Sequence, residues 1–235
     1  MKSLLLVVAV ASPLLVVATL AFYGLDFSVF EDERRTSAPR RPASDKAANS
    51  VLLVGASLIS RGGWVEELER QLRACNPDAS VMRLAKAGAN SAWGLSSLRE
   101  HFRQARPDIV VVAFAGNDAS LWRGFPVFVS RSYHSKIIAL SQHHGAQVIL
   151  ATMNPALGRE AWERPGQRAY RNIYRDLADE LGLSVVDATA AWLALDEETR
   201  AAWLPDHLHP TEEAMRHIAV PAFAELLQPI LCPGN

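Results

Sequence analysis

The sequence predicts an α/β protein with three layers, in which a five-stranded parallel sheet lies between two layers of helices. From about Ser50 onward, short apolar runs alternate with longer amphipathic runs. Two of the apolar runs, residues 109–114 and 147–152, are nearly all apolar and rich in β-branched residues, as expected of strands that are covered on both faces. A repeated strand–helix order indicates a parallel sheet with helices on both sides.

The individual elements follow from these patterns in chain order. Apolar runs predict strands at residues 51–54, 80–84, 109–114, 147–152 and 183–186. Helical periodicity predicts helices at residues 64–73, 92–104, 132–144, 166–181 and 211–227, with stop signals at Gly145, Gly182 and the Asn76–Pro77 pair. In parallel sheets of this kind the binding crevice lies outside the carboxyl ends of the strands, so we expect the functional residues there.

The N-terminal segment stands apart from this pattern. Residues 4–22 are almost wholly apolar and follow Lys2. About 20 such residues match the hydrocarbon thickness of a bilayer. We therefore interpret residues 1–24 as a membrane-spanning signal anchor. A cleaved signal peptide is the alternative, although Thr19 makes a poor small-residue motif for cleavage after Ala21.

A polar segment separates this span from the predicted domain at residues 50–235. Residues 25–49 are charged and rich in Pro, Ala and Ser, a composition that predicts a disordered tether. Four arginines after the span favour a cytoplasmic domain by the positive-inside rule, but long folded domains are often translocated whatever their charge. Between these alternatives we favour an extracytoplasmic domain, in the periplasm or at the cell surface.

Composition excludes several classes of function. The chain has 235 residues and a formal net charge of -1, with no basic patch that would predict nucleic-acid binding. Cys75 and Cys232 match no metal-binding spacing, and we predict no cofactor and no metal. The two cysteines either pair in an oxidising compartment or remain two separate thiols.

Three residues supply the groups that nucleophilic catalysis at an acyl carbon needs. Ser57 follows the first strand, and a serine hydroxyl attacks a carbonyl only when a base takes its proton. His209, in the last loop, is the predicted base. Asp206 precedes it by three residues, so one turn of chain can aim the carboxylate at the far imidazole nitrogen.

The oxyanion formed by such an attack needs hydrogen-bond donors where its charge develops. Three candidates follow successive strands: the Ser57 N–H, the Gly88 N–H and the side-chain amide of Asn117. Gly88 has no Cβ, so its backbone can approach a ligand closely. Because the three strand ends share one edge of the sheet, we expect these donors to converge on one small site.

These residues occur in the order found in a known family. Residues 51–231, approximately, resemble the SGNH hydrolases, or GDSL-type esterases and lipases, and in particular their single-domain thioesterase/lysophospholipase-like branch. The resemblance implies a flavodoxin-like fold with Ser57 as nucleophile, Gly88 and Asn117 as oxyanion donors, and Asp206 with His209 as the acid–base pair.

The sequence departs from the family pattern at two positions. The chain has Ala56 where the family has the aspartate of Gly-Asp-Ser-Leu, a residue that normally braces the serine turn. It also has Ala115 where the family has the glycine of Gly-x-Asn-Asp, which narrows the space beside the oxyanion site. We expect these changes to affect the rate more than the class of reaction.

Some further residues have weaker interpretations. Trp122 and Asn154 follow the third and fourth strands, where the acyl or alcohol part of a substrate would lie, but they can equally be loop residues that cover the edge of the core. His207 and His209 could form two ligands of a metal site, but the sequence offers no third ligand. The remaining singly occurring histidines, His101, His134 and His217, are predicted to lie on the surface.

The predicted function is therefore that of a serine esterase. We expect it to hydrolyse short-chain or O-acetyl esters of glycans or lipids through an acyl-enzyme. Its partners would be a small-molecule or glycan ester and, through the N-terminal segment, a membrane. Two alternatives remain, a polysaccharide O-acyltransferase that uses the same triad and a weakly active module that binds a glycan or a partner.

Overall fold

A computed structural model of the chain describes residues 48–232. The predicted membrane segment at residues 1–24 lies outside the described residues, as does all but the end of the predicted tether. Within residues 48–232, no helix is both long enough and apolar enough to cross a bilayer.

A five-stranded sheet forms the centre of the described domain. Its strands are β1 (Ser50–Gly55), β2 (Ser80–Ala85), β3 (Ile109–Ala113), β4 (Gln147–Thr152) and β5 (Ser184–Asp187). All neighbouring pairs are parallel, and the spatial order is β2-β1-β3-β4-β5. This is the strand order of a doubly wound, flavodoxin-like sheet. The predicted parallel α/β sandwich is confirmed.

The register of the sheet brings the ends of three strands level with one another. Gly55, the last residue of β1, pairs with Ala85 of β2 and with Ala113 of β3. The loops that carry Ser57, Gly88 and Asn117 leave the sheet immediately after these residues. They therefore start from one short stretch of the same edge.

Helices connect and cover the strands. In chain order they are α1 (Ser57–Ser60), α2 (Trp64–Arg73), α3 (Ser91–Gln104), α4 (Ala115–Asp118), α5 (Val127–His143), α6 (Gly158–Trp162), α7 (Gln167–Leu181), α8 (Ala188–Leu193), α9 (Glu197–Trp203) and α10 (Glu212–Ala214), followed by a π-helical turn (Met215–Ala219) and α11 (Val220–Leu231). The long helices α2, α3, α5 and α7 lie where periodicity predicts them.

The prediction missed the short helices and misjudged some ends. One-turn helices such as α1 and α4 are too short to show a periodic pattern, and tertiary contacts hold them. Helix α5 begins at Val127, directly after Pro126, although its first residues are β-branched or aromatic and favour strands. The closing helix continues past the predicted end to Leu231, with Pro229 in its last turn, where a lost N–H costs one hydrogen bond.

Two apolar clusters fill the space on the two faces of the sheet. Alternate residues of β1 contribute to each: Val51 and Leu53 face α2 and α11, whereas Leu52 and Val54 face α3, α5 and α7. All four side chains are fully buried. The central strands are thus covered on both sides, which explains why their sequences are continuous apolar runs.

A disulfide joins the carboxyl ends of helices α2 and α11, which cover the same face of the sheet. Cys75, just after α2, is bonded to Cys232, just after α11, with their Cα atoms 5.7 Å apart. Of the two alternatives for the cysteines, the structure has the paired one. The bond closes a loop that spans a sequence separation of 157 residues.

Candidate active site

The three predicted triad residues form one hydrogen-bonded chain at the carboxyl edge of the sheet. Ser57 is the first residue of α1, and its Oγ lies 3.0 Å from Nε2 of His209. Nδ1 of His209 lies 2.7 Å from Oδ2 of Asp206. The hydroxyl, the imidazole and the carboxylate are therefore within hydrogen-bonding reach in the order that a proton transfer needs.

The loop that carries Asp206 and His209 is held by its own hydrogen bonds. Oδ1 of Asp206 accepts the N–H of Leu208 at 3.0 Å and that of His209 at 2.6 Å. Partial burial disfavours the charged form of Asp206, but hydrogen bonds from the backbone and ring of His209 outweigh it and lower the pKa of this carboxyl to about 2. The carboxylate is therefore charged at neutral pH and can stabilise an imidazolium.

Asn154, two residues after the end of β4, forms a hydrogen bond to the same loop. Its Nδ2 donates to the carbonyl of Leu208 at 2.8 Å, one residue before the histidine. Asn154 is predicted to lie near the substrate or to cover the edge of the core. The structure adds this bond to the triad loop, while Oδ1 of Asn154 lies buried without a hydrogen-bond partner in the described part of the chain.

The residues that carry the three predicted oxyanion donors line one groove together with His209. We call this space the outer groove; it has a volume of about 670 Å³, and Ser57, Gly88, Asn117 and His209 contribute to its walls. Gly88 has a positive φ of 76°, a conformation that favours glycine. The side-chain amide of Asn117 donates one hydrogen to the carbonyl of Ala89 at 2.8 Å, which leaves its second hydrogen for a ligand.

A buried carboxylate anchors the helix that carries Asn117. Asp118 is completely buried and accepts the Ser91 N–H at 2.8 Å, the Ser91 hydroxyl at 2.6 Å and the Ser130 hydroxyl at 2.6 Å. These donors come from α3 and α5, so the residue next to Asn117 is fixed to two long helices. Full hydrogen bonding makes the burial of a carboxylate tolerable.

The amino end of α4 is fixed by a second buried group. The hydroxyl of Tyr174 accepts the N–H of Phe114 at 2.6 Å and that of Ala115 at 3.2 Å. It donates in turn to Nε2 of His134, 3.0 Å away, because Nδ1 of His134 donates to the carbonyl of Ser130. Burial raises the pKa of Tyr174 and lowers that of His134, so both groups are neutral.

The surface position predicted for His134 is therefore wrong. Its side chain is 1% exposed, because the face of α5 that carries it packs towards α7. Ser130, His134, Ile137 and Ser141 form a helical stripe of buried residues. The helical spacing of these residues was the available signal, but three of the four are polar, so the sequence pattern did not show a buried face. His217 is exposed as predicted, and His101 is partly buried.

Behind Ser57 lies a smaller space, which we call the inner pocket. It has a volume of about 50 Å³, and its walls include Ala56, Ala115, Met153 and Asn154. Arg164, which sequence reasoning did not select, also contributes to it; this arginine is almost fully buried and donates through Nε to the carbonyl of Gly116 at 3.1 Å. Trp122, by contrast, is 78% exposed and lines the outer groove.

The two departures from the expected motifs lie close to Ser57. Ala56 precedes α1 in the N-cap position and offers no side-chain hydrogen bond to the helix. Ala115 is buried and narrows the inner pocket. Neither residue interrupts the chain of hydrogen bonds from Ser57 to Asp206. Within residues 48–232, no group of His, Cys, Asp and Glu side chains is arranged to hold a metal ion.

Comparison with known proteins identifies the family. The model of the GDSL-like lipase/acylhydrolase family matches residues 53–217, which include every residue of the triad and all three candidate oxyanion donors. The chain belongs to this family. It is accordingly a carboxylic ester hydrolase of the GDSL type, and the resemblance that the motifs indicated is confirmed.

Individual GDSL-like proteins are similar over most of the described domain. An arylesterase from Vibrio mimicus is 27% identical over 197 residues, which cover 79% of this chain and 92% of that protein. The crystal structure of a lipase/acylhydrolase from Enterococcus faecalis superimposes with a TM-score of 0.70 at 22% identity, over 80% of this chain and 99% of the other. A catalytic mutant of an acetylxylan esterase from Geobacillus stearothermophilus gives a TM-score of 0.65 at 17% identity, over 78% and 96% of the two chains.

Proposed function

We propose that the protein is a serine esterase in which Ser57 is the nucleophile, His209 the general base and Asp206 the residue that orients the base. The observation that carries this proposal is the distance of 3.0 Å between Ser57 Oγ and His209 Nε2, with His209 Nδ1 2.7 Å from Asp206. The two bonded residues are 152 positions apart in the sequence, so local chain geometry does not account for the contact.

The first half of the reaction forms an acyl-enzyme. Ser57 Oγ bonds to the carbonyl carbon of the ester while its proton passes to Nε2 of His209. The carbonyl oxygen becomes an oxyanion and accepts hydrogen bonds from the Ser57 N–H, the Gly88 N–H and the Asn117 amide. When the carbonyl re-forms, the bond to the alcohol oxygen breaks, and that oxygen takes the proton from His209.

The second half returns the enzyme to its starting state. Water gives a proton to Nε2 of His209 and bonds through its oxygen to the acyl carbon. The same three donors hold the second oxyanion. On collapse the bond to Ser57 breaks, the serine oxygen recovers its proton from His209, and a carboxylic acid is released.

We propose a short acyl group and a large alcohol for the substrate. The inner pocket, at about 50 Å³, is about a third of the size of a cavity that holds benzene. The outer groove is open and much larger, at about 670 Å³, and it presents the exposed ring of Trp122. An acetyl ester of a sugar, whose flat faces can stack on an aromatic ring, suits these two spaces. The similarity to an acetylxylan esterase supports the same class of substrate.

The catalytic assignment is tested by replacing the nucleophile. Ser57→Ala should abolish hydrolysis of p-nitrophenyl acetate and labelling by a fluorophosphonate, with an unchanged thermal melt. Ser60→Ala is the matched control, since Ser60 lies in the same short helix and, within residues 48–232, its hydroxyl bonds only to the Ser57 carbonyl, at 3.3 Å. Hydrolysis at the wild-type rate by Ser57→Ala would refute the assignment. Failure of the wild-type protein to label would favour the weakly active binding module.

The acyl specificity is tested separately with p-nitrophenyl esters of increasing chain length. Because the inner pocket is small, kcat/KM should be highest for the acetate and fall steadily towards the octanoate. Ala115→Gly enlarges the pocket by one methyl group and should shift the preference towards longer chains. A wild-type optimum at the octanoate would contradict the short-acyl proposal and leave the triad untouched.

The open groove also admits a second candidate, acyl transfer to a sugar hydroxyl. An acceptor alcohol in the outer groove can take the place of the water in the second half of the reaction. Product analysis with an acetyl donor and an added oligosaccharide separates the two outcomes: an acetylated sugar indicates transfer, and free acetate alone indicates hydrolysis.

We also propose that the domain lies outside the cytoplasm, anchored by residues 1–24. The Cys75–Cys232 disulfide supports an oxidising compartment. The described chain enters the sheet at Ser50, the amino end of β1, whereas the site lies at the carboxyl ends of the strands. A tether that precedes Ser50 would therefore leave the outer groove uncovered. A C-terminal reporter that is active only outside the cytoplasm should be active on this chain, and an inactive reporter would overturn the placement.

A further inference from the structure

Two arginines face the outer groove from different elements. Arg61 comes directly after α1. Its backbone N–H donates to the carbonyl of Ser57 at 3.0 Å, so Arg61 lies one helical turn beyond the nucleophile. Residues with this spacing share one face of a helix. Both Arg61 and Ser57 accordingly line the outer groove.

The second arginine lies beside a candidate oxyanion donor. The Nε, Cδ and Cζ atoms of Arg123 are 3.8–3.9 Å from the position that a Cβ on Gly88 would occupy. The backbone of Arg123 is held in place, since its carbonyl accepts a hydrogen bond from Asn90 Nδ2 at 2.7 Å. The guanidinium therefore borders the same groove as Gly88, Asn117 and His209.

Neither guanidinium is neutralised by the rest of the described chain. Arg61 and Arg123 are exposed, and within residues 48–232 neither forms a salt bridge, whereas arginines elsewhere on the surface do, as Arg131 does with Glu180 at 2.5 Å. The acids nearest the site are engaged. Asp206 binds His209 and two backbone N–H groups, and Glu212 binds the Gly63 N–H and Arg216.

A single exposed arginine is ordinary, because solvent stabilises its charge. Two unpaired guanidinium groups in one groove beside the nucleophile are different, since they place positive charge where the alcohol part of an ester must lie. Each presents a planar set of donors that matches the two oxygens of a carboxylate. Their field also raises the local concentration of anionic ligands.

We propose that the outer groove selects esters whose alcohol part is an anion, with Arg61 and Arg123 binding a carboxylate next to the ester. This rests on the proposed function, because it assigns the alcohol side of the same site. Among acetylated sugars it favours those built from sugar acids over neutral ones. Trp122 would contact the ring while the two arginines hold the charge.

The experiment compares two acetyl esters that differ in charge and hardly in shape, 4-acetoxybenzoate and its neutral methyl ester. For each variant the readout is the ratio of kcat/KM for the anion to kcat/KM for the neutral ester, so general losses of activity cancel. Arg61→Gln and Arg123→Gln should each lower this ratio roughly threefold, and the double variant about tenfold, as expected for partly exposed ion pairs. Arg159→Gln is the matched control, because Arg159 is exposed, pairs with Glu163 and does not border the groove.

The dependence of this ratio on salt concentration is a second measurement. It would not change if the arginines had only a structural role. Between about 0.01 M and about 0.1 M NaCl the screening length falls from roughly 30 Å to roughly 10 Å, so the wild-type ratio should fall and the ratio of the double variant should stay constant. A ratio that is unchanged in both single variants and the double variant would overturn the proposal. An equal loss on both esters would also overturn it, since the arginines would then act on the oxyanion or the fold. Ser57→Ala keeps the two proposals distinguishable: if it still hydrolyses both esters, the triad assignment fails.

Discussion

At the scale of single residues, the candidate site depends on a few hydrogen bonds that set charge and orientation. Asp206 has a pKa of about 2 because three N–H groups of its own loop hydrogen-bond to its carboxylate. It is therefore ionised at every pH above about 4, so a loss of activity on acidification above that value reports protonation of a different group. In the proposed mechanism this carboxylate orients His209 and stabilises its positive charge without taking its proton.

Asp206→Asn tests this role. The amide keeps the size of the side chain but removes the charge that faces the imidazole, so kcat for p-nitrophenyl acetate should fall by roughly 10²- to 10⁴-fold, with little change in KM. Glu213→Gln is the control, an exposed carboxylate in the helix that follows the same loop. A variant with more than half of wild-type kcat would show that Asp206 is dispensable.

At the scale of elements, the site is built on two helices of about one turn each. Helix α1 carries Ser57, the proposed nucleophile, and α4 carries Asn117, and each has only four residues. Helices of this length do not hold themselves together, so contacts from outside must fix them. Helix α4 has such contacts at both ends, Tyr174 at its first N–H groups and the hydrogen bonds of Asp118 at its last residue.

Tyr174→Phe should therefore impair catalysis from a distance. It leaves the N–H groups of Phe114 and Ala115 without their acceptor inside the protein, which costs about 1–3 kcal/mol for each buried group left unsatisfied. We expect a lower melting temperature and a lower kcat at nearly constant KM, since the position of Asn117 shifts. Tyr133→Phe is the matched control, because the Tyr133 hydroxyl makes no hydrogen bond within residues 48–232. Equal effects of the two variants would rule out this role for Tyr174.

Helix α1 lacks an equivalent contact at its start, and Ala56→Asp should supply it. Residue 56 occupies the N-cap position, and the side chain of Ala56 provides no acceptor for the free N–H groups of the first turn. An aspartate there should stabilise the protein by about 0.5–2 kcal/mol. Chemical denaturation measures this change. Ala56→Val adds bulk without an acceptor, so any stabilisation shared by both variants would exclude capping as its cause.

At the scale of the whole molecule, a parallel sheet places chemistry and attachment at opposite edges. Ser57, Gly88 and Asn117 follow the carboxyl ends of β1, β2 and β3, while the described chain begins at the amino end of β1. Far from the site, the Cys75–Cys232 disulfide ties the last helix to the end of α2. The bond secures the outer layer and makes no contact with the triad.

Loss of the disulfide should therefore reduce stability and leave the chemistry intact. A closed loop of this length predicts about 2–5 kcal/mol of stabilisation, chiefly through the entropy of the unfolded chain. Reductant should lower the melting temperature of the wild-type protein to that of the Cys75→Ser/Cys232→Ser double variant and should not affect that variant. Below its melting temperature the double variant should keep wild-type kcat. A melting temperature insensitive to both changes would show that the bond contributes nothing.

Sequence alone predicted the layered fold, the long helices and the three residues that the structure joins in one hydrogen-bonded chain. Continuous apolar strands and 3.6-residue periodicity are local properties, and the GDSL-type motifs lie in the order and at the strand ends that their chemistry requires. Local patterns could not reveal the Tyr174–His134 pair, the loop contact of Asn154 or the two unpaired arginines of the outer groove. Those depend on which distant helices and loops meet, and a polar residue has the same local pattern whether it faces solvent or a buried partner. Only tertiary packing decides between the two, because burial and the choice of partner are properties of the folded chain as a whole.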